Sequence, residues 1–400
     1  MLCASAAGYA EDADRSMIVN SRAAQIEAQR EEKARLLQPE RPDSIENFLN
    51  FMKQRRVVER ITAGVAGFRV RLGGLITGSG FALGPEYYRR TASESVVFRT
   101  SARGSFKKYY LLDAGVAFPR LARDRVFVDF YARRRHYPHL EYYGPGPDSR
   151  ETGRTTYRFD DLSFDARAGV RPLEHLSLGV IGSYALPNVG PGTDERFAVT
   201  ENVYGEDQAP GIRRQSDYLA TGGFVQYDTR DNPGGPRRGG NYFAQYMLWS
   251  DREFHIGSFN RLELEAERYI PFLHDRRVIA LRARTVFTDP RSGQFVPFYM
   301  QPTLGGSEDM RGYRPFRFHD NNSLVMNAEY RWEVFSGLDM ALFADAGQVF
   351  HKTRDIGKGT LRKSFGFGFR FNVRNDVFFR IDTGFSREGA QIWFKFDNVF

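Results

Sequence analysis

The run Ser364-Phe365-Gly366-Phe367-Gly368-Phe369-Arg370-Phe371 alternates without a break between an aromatic ring and a small or charged residue. Successive side chains of an extended strand point to opposite faces, so one face carries phenylalanine and the other serine, glycine and arginine. The next segment repeats the pattern, with Val377, Phe379, Ile381, Thr383 and Phe385 opposing Phe378, Arg380, Asp382 and Gly384. Upstream, Leu162, Phe164, Ala166, Ala168 and Val170 oppose Asp161, Ser163, Asp165, Arg167 and Gly169. A soluble sandwich also alternates, but its polar face looks to bulk water. Apolar side chains on one side and glycine, aspartate and arginine on the other describe a lipid-facing wall around a wet, charged lumen.

Composition agrees. The 400 residues include 35 Phe, 20 Tyr and 39 Gly, yet the mean hydropathy is −0.49. No run of about 18 apolar residues is present, so no helix spans a membrane. A barrel strand needs only about 9–11 residues of alternating polarity. The net charge of +8 raises nucleic acid as a partner, but the arginines alternate with apolar residues instead of forming basic blocks. Nucleic-acid binding is therefore set aside. The single cysteine, Cys3, excludes an intrachain disulfide or a cysteine-based zinc site. No cofactor is implied.

Two compositions meet near residue 58, giving an N-terminal extension over 1–58 and a barrel over 59–400. Met1–Ala10 fits both the tail of a truncated signal peptide and an ordinary terminus. Ser16–Leu37 is rich in Ala, Glu, Gln and Arg and favours helix. Ser44–Arg56, with Ile45, Phe48, Leu49 and Met52 at helical spacing, reads as a second short helix. Such a segment serves as a periplasmic tail or docks at the barrel, and the tail is preferred.

Connections divide into two kinds. Short breaks fall near Arg90–Glu94, Pro119–Asp124, Arg171–Glu174, Phe272–Arg276, Ser336–Gly337 and Asn372–Asp376. Longer polar ones cover Tyr137–Arg154, Pro187–Gln215, Asp289–Asn321 and His351–Thr360. Apart from the longer Asp228–Gly240 turn they sort onto opposite ends, as in outer-membrane barrels with short periplasmic turns and long external loops. The count is about sixteen strands, an even number. The fold class is thus all-β, a closed antiparallel transmembrane barrel. In the last segment, Gln391–Phe400, the residues Ile392, Phe394, Phe396 and Phe400 are expected on one apolar face. There they would close the barrel against the first strand and remove an exposed edge. A terminal aromatic after such alternation is similar to an outer-membrane sorting signal.

Three further segments occur in a fixed order. Leu304-Gly305-Gly306-Ser307-Glu308-Asp309-Met310-Arg311-Gly312-Tyr313 lies in the longest late loop, followed by Asn327-Ala328-Glu329-Tyr330-Arg331 and Phe343-Ala344-Asp345-Ala346-Gly347. Together they resemble the bacterial surface antigen superfamily of outer-membrane barrels, the BamA, TamA and two-partner-secretion transporter-like proteins. In that family the sixth external loop returns into the lumen with a [VI]-R-G-[FY] tip, and here Met310 replaces the first residue. The resemblance implies that Arg311 contacts Asp345 and the neighbourhood of Glu329, with Phe343 of lumen parity, Gly312 allowing a tight turn at φ > 0, and Tyr313 completing the tip. Asp228, Arg230 and Asp231, within Tyr227–Pro233, look like the family's periplasmic D-x-R-D-x-P turn. Tyr142–Ser149 resembles its aromatic-G-x-G-x-S loop, with Pro147 as a departure.

The resemblance covers about residues 60–400, and family members typically carry periplasmic POTRA domains before the barrel. A 58-residue helical extension is too small for one with linkers, so the expectation is a barrel lacking them, or a fragment. The implied activity is protein assembly or translocation at the outer membrane, with a lumen plug and a seam between first and last strands. The alternative is a passive pore, in which Arg167, Arg282, Arg284 and Arg370 would favour anions unless paired with Asp161, Asp165, Glu263 and Glu265. Implied partners are outer-membrane lipid, unfolded outer-membrane or secreted clients, and a periplasmic protein. An enzyme is not expected: no Ser sits in a nucleophile motif beside His136, His139, His175, His255, His274, His319 or His351.

Overall fold

The computed structural model divides into two compact units, Met1–Arg55 and Arg56–Phe400. It describes Gln29 and Glu32, both helical, and residues 65–400 except 93, 274, 275, 336, 360, 374, 375 and 397–399. The two expected helices, His274 and Cys3 lie outside the described residues apart from those two positions.

Sixteen antiparallel strands form one sheet, ordered β1 to β11 and then β14 to β18. The first five are β1 (Phe68–Leu72), β2 (Ala82–Arg90), β3 (Val97–Ser105), β4 (Tyr110–Leu121) and β5 (Val126–Tyr142). Then come β6 (Thr155–Leu173), β7 (Leu176–Pro191), β8 (Tyr218–Asp228), β9 (Gly239–Asp251), β10 (Phe259–Phe272) and β11 (Arg277–Pro290). The sheet resumes with β14 (Asn322–Phe335), β15 (Leu338–Phe350), β16 (Arg362–Val373), β17 (Asp376–Ser386) and β18 (Gly389–Lys395). A separate two-stranded ladder, β12 (Thr303–Leu304) with β13 (Phe318–His319), sits inside the longest loop.

Each neighbouring pair is a simple meander, and the six short breaks expected from sequence all lie at one end. The long-loop end carries the four expected long connections, although β5 and β7 extend further into two of them than the polar composition suggested. It also has shorter links that went unread, such as 106–109 and 387–388.

The parity of side chains follows the sequence. Phe164, Phe365, Phe367, Leu342 and Met326 are exposed, whereas Ser163, Ser364, Arg370, Arg380 and Asp382 are buried. An apolar exterior over a polar, enclosed interior is stable only where the exterior meets lipid. The glycine-rich start gives a first strand of only five residues, and Gly73, Gly74, Gly78 and Gly80 all take positive φ in the link to β2.

Between β1 and β18 no backbone ladder exists among the described residues. Side chains bring the two edges together instead: Phe81 meets Phe396 with ring centroids 5.4 Å apart, and Lys395 Nζ lies 3.4 Å from the Leu75 carbonyl. A cavity of about 520 Å³, lined by Gly73–Ala82, Phe379 and Ile392–Phe396, lies along this seam.

One sequence expectation needs correction. Ile392 and Phe394 are exposed as expected, but β18 stops at Lys395 and Phe400 is buried. Its ring clusters with Tyr269, Val278 and Ala280, beneath the guanidinium of Arg331 at 5.3 Å. Tyr269 and Val278 face the interior of β10 and β11, so Phe400 leaves the outer face altogether. An apolar ring over buried cationic stems gains more there than alternation alone would suggest.

Placing a charge on the exposed wall tests the orientation of the sheet. Leu342→Lys on β15 should lower unfolding free energy by about 2–4 kcal/mol in urea titrations of vesicle-embedded protein, and Leu342→Phe should leave it nearly unchanged.

Candidate functional site

Residues 291–321 leave β11 and fold back over the buried face of the sheet. The β12–β13 ladder pairs Thr303 with His319 and Leu304 with Phe318, so the intervening segment projects as a finger. Gly305 and Gly306, at φ +119° and +113°, form its bend. Its apolar foot packs Leu304, Met310, Tyr313 and Phe318 against Val325 and Val349. Gly347 makes room, since a Cβ there would lie 2.7 Å from Met310 Sδ.

At the tip, Arg311 is 0% exposed. Its backbone N–H and Nε donate to Asp345 Oδ2, each at 3.1 Å, and Nη2 donates to Asp345 Oδ1 at 2.6 Å. Nη1 donates to Glu329, and the guanidinium lies 3.5 Å from the Phe343 ring centroid. Asn327 Nδ2 bonds Asp345 Oδ1 at 2.9 Å and the Asp309 carbonyl at 2.6 Å, while Ser364 Oγ donates to Asp345 at 3.2 Å. Asn327, Glu329, Phe343 and Asp345 thus all lie on the buried face of β14 and β15.

Sequence reading missed the rest of the network. Glu329 also accepts from Arg331 at 2.6 Å and Arg370 at 3.0 Å. Arg370 and Arg380 face each other across β16 and β17, a like-charge pair resolved because both donate to Asp382. Arg380 Nη2 continues to the Ser307 carbonyl at 3.0 Å. Gly368 makes this possible, because a Cβ there would overlap Asp382 Oδ1 at 2.0 Å. Inward parity marked these charges, but only cross-strand register shows which of them meet.

Gly312 is present for a different reason than expected. Its φ is not positive; instead a Cβ would lie 2.6 Å from Ser364 Cβ and 2.7 Å from the Phe385 carbonyl. Close approach to β16 and β17 requires glycine here. Gly384 serves the facing side, where a Cβ would come within 2.4 Å of the Arg311 carbonyl. Tyr313 OH donates to the Lys363 carbonyl at 3.3 Å.

The finger touches both sides of the seam. Thr77, in the β1–β2 link, shares a 3.0 Å hydroxyl contact with Ser307. On the other side, Trp393 Nε1 donates to the Arg311 carbonyl and Ser386 Oγ to the Gly312 carbonyl, both at 2.7 Å. Arg317 pairs with Glu388 at 2.8 Å and donates to the Ser149 carbonyl at 2.7 Å. The Tyr142–Ser149 loop is thereby docked on the finger, with Gly146 N–H bonding the His319 carbonyl at 2.7 Å.

The turn at 229–238 shapes the opposite end. Arg230 donates to Asp228 at 3.0 and 2.9 Å and to Glu267 at 3.0 Å. Asp231 Oδ1 caps the backbone N–H groups of Asn232 and Arg237. The turn then reaches strands that lie far along the sheet: Asn232 donates to Asp376 at 2.9 Å, Val377 N–H to the Gly234 carbonyl at 2.9 Å, and Arg237 to Asp339 at 3.0 and 2.9 Å. Five strands separate β9 from β17, so this turn crosses the bore.

The remaining interior arginines are engaged, though not all as expected. Arg282 pairs with Glu265 at 2.5 Å and Arg284 with Glu263 at 3.5 Å. Asp161, however, pairs with Arg135 at 2.6 Å, Asp165 accepts from Ser183, and Arg167 lies 3.7 Å over the Phe224 ring. No group of three or more His, Cys, Asp or Glu suited to a metal occurs among the described residues.

Residues 99–377 match the Omp85 superfamily domain. The chain belongs to the Omp85 superfamily. Its members are transporters or assembly factors, and the family places this protein in the bacterial outer membrane. Its fold is similar to that of BamA from Haemophilus ducreyi lacking POTRA domains 1–3: TM-score 0.60, 14% identity, covering 82% of this chain and 69% of that one. It is also similar to CdiB from Escherichia coli, with TM-score 0.57 and 13% identity over 83% of this chain and 62% of that one. At such identity these likenesses concern the fold alone. Among curated proteins, none matches the chain in sequence.

Two measurements probe the finger of this Omp85 barrel. Arg311→Ala leaves Asp345 buried without its cation, a loss of about 3–5 kcal/mol, and should raise protease cleavage within Gly305–Arg317. Unchanged cleavage would mean that the finger does not depend on this contact. His319 offers a pH test, since burial holds its imidazole at a pKa of about 3. A base depressed in the folded state contributes stability above its unfolded value of about 6.5, and that contribution is lost as pH falls. The near-ultraviolet circular dichroism of the Tyr142 ring, which packs edge-on against His319, should therefore weaken progressively as pH falls from about 6.5 towards 3. His319→Phe should abolish that change.

Proposed function

We propose that this Omp85 barrel assembles or translocates polypeptide at the outer membrane, and that the seam between β1 and β18 is its working element. The observation that carries this reading is the pair of short edge strands with no backbone ladder between them among the described residues. Unpaired N–H and C=O groups at such an edge are a template for an incoming strand, which adds by β-augmentation. The short β1 and the glycine-rich link that follows it, Gly73, Gly74, Gly78 and Gly80, leave few residues to hold the seam.

In this reading the finger is a lock. Arg311 fixes the tip to β14 and β15, while Thr77 and Trp393 tie it to the two lips of the seam. Opening requires those contacts to be exchanged, and a client strand would compete for the same edges. The turn at Asp228, Arg230 and Asp231 closes the other end of the bore, so traffic runs along the wall instead of through the centre. Phe394 and Phe396 line the lip of β18, and residues 1–58 precede the barrel in the chain as an extension. Clients are unfolded outer-membrane or secreted proteins, with a periplasmic protein delivering them. No catalytic chemistry is assigned.

The passive pore is the competing reading, and one experiment separates the two. A Cβ on Gly73 would sit 3.0 Å from that of Phe396, close enough for a disulfide after slight adjustment. In a Cys3→Ser background, Gly73→Cys with Phe396→Cys should stop insertion of an unfolded outer-membrane barrel protein into proteoliposomes under oxidising conditions. Reductant should restore it. Large, steady, anion-selective conductance that ignores both the cross-link and Arg311→Ala, with no insertion by the parent protein, would favour the pore.

A further inference from the structure

The outer face of β4–β7 carries charges where its apolar band ends. On β6 the outward positions from Val170 to Leu162 are all apolar. Nine residues at roughly 3.3 Å each and a tilt of about 40° rise about 23 Å, close to the roughly 25 Å apolar height of outer-membrane barrels. The next outward positions towards the long-loop end are Asp160 and Arg158. Register places Arg134 of β5 between Leu112 and Leu162, and His136 between Tyr110 and Asp160. These groups stand at the headgroup level of the outer leaflet.

The patch has an excess of positive charge. Asp160 is its one carboxylate, shared by His136 Nδ1 at 2.5 Å and Arg158 Nε at 2.9 Å. Arg158 Nη2 also donates to Asn188 at 3.3 Å. The Arg134 side chain makes no ion pair or hydrogen bond among the described residues, although it is exposed beside two leucines. Lys107 and Lys108 lie in the β3–β4 hairpin just beyond Tyr110, next to Phe106, which is 90% exposed. Tyr110 stacks on His136 at 4.9 Å, which holds that ring at the margin.

An unpaired guanidinium at the edge of an apolar wall is stabilised by a phosphate, which accepts two of its parallel N–H donors. Acyl chains of the same molecule would lie on Leu112 and Leu162 beside Arg134 and on Phe164 and Phe130 below. We infer that this margin is a docking surface for a phosphate-bearing lipid of the outer leaflet, held by Arg134 and Arg158 with the lysine hairpin as a flank. The inference is independent of the seam and of the finger.

The test uses the full chain in detergent micelles, titrated with diphosphorylated lipid A and read by native mass spectrometry. Parent protein should retain the lipid, and retention should fall as ionic strength rises. Arg134→Gln with Arg158→Gln should weaken binding by at least about tenfold, whereas Arg134→Lys with Arg158→Lys should stay within about threefold. Heat-modifiable electrophoretic mobility checks that each variant folds. If the Gln pair fails that check, the Lys pair and the salt dependence decide the matter. Equal binding of the same lipid stripped of its phosphates would overturn the proposal. So would an unaffected Gln pair, salt-insensitive retention, or equal occupancy by inorganic phosphate alone, which would mark an adventitious ion only.

Discussion

Arg311 has no access to solvent, and its charge is held chiefly by Asp345 and Glu329 on two adjacent strands. A buried ion pair contributes little net stability compared with apolar packing, but removing one partner is costly because the other is left uncompensated. That asymmetry governs the interior. Glu329 is also shared with Arg331 and Arg370, Arg370 with Asp382, and Asp382 with Arg380, which returns to the finger at Ser307. The circuit closes on itself, so the finger and the strands β14 to β17 hold one arrangement together.

The same circuit anchors segments on the inner face of the sheet. At the long-loop end the finger, with the β5–β6 loop docked on it, packs on Val325 and Val349; at the other end the 229–238 turn reaches Asp376 and Phe400 packs on Tyr269 and Val278. The seam is the contrasting region. There the sheet relies on Phe81, Phe396, Lys395 and the tips of Thr77 and Trp393, with no ladder among the described residues. Strength is concentrated in the interior and withheld from the edge where two short strands meet.

Much of this was legible in the chain. Period-2 alternation gave the strands and their faces because lipid and a charged lumen impose opposite demands on successive residues. The sixteen strands and the two classes of connection followed from it. The Arg311, Glu329, Phe343 and Asp345 grouping was reached through resemblance, and the geometry brings those side chains together. What alternation could not give was register: Arg370 facing Arg380, and Gly368 vacating space for Asp382, depend on neighbours remote in sequence. Gly312 was read as a turn residue, whereas it answers to a backbone passing close by. Phe400 was read by extending the parity of β18, but parity ends where the strand does, and its ring finds its partners on β10 and β11.

The turn across the bore also bears on the order in which the protein comes together. Every sheet pairing is between strands adjacent in the chain or flanking one loop, so hairpins can form early at little loop-closure cost. Asn232 and Asp376 are 144 residues apart, Thr77 and Ser307 are 230 apart, and Lys395 and Leu75 are 320 apart. These contacts have nothing to join until the C-terminal strands have curled round to meet them. The contacts that span the bore are thus made last, after the wall has formed, whereas Arg230 and Arg311 can meet Asp228, Glu267, Glu329 and Asp345 as soon as their own hairpins exist.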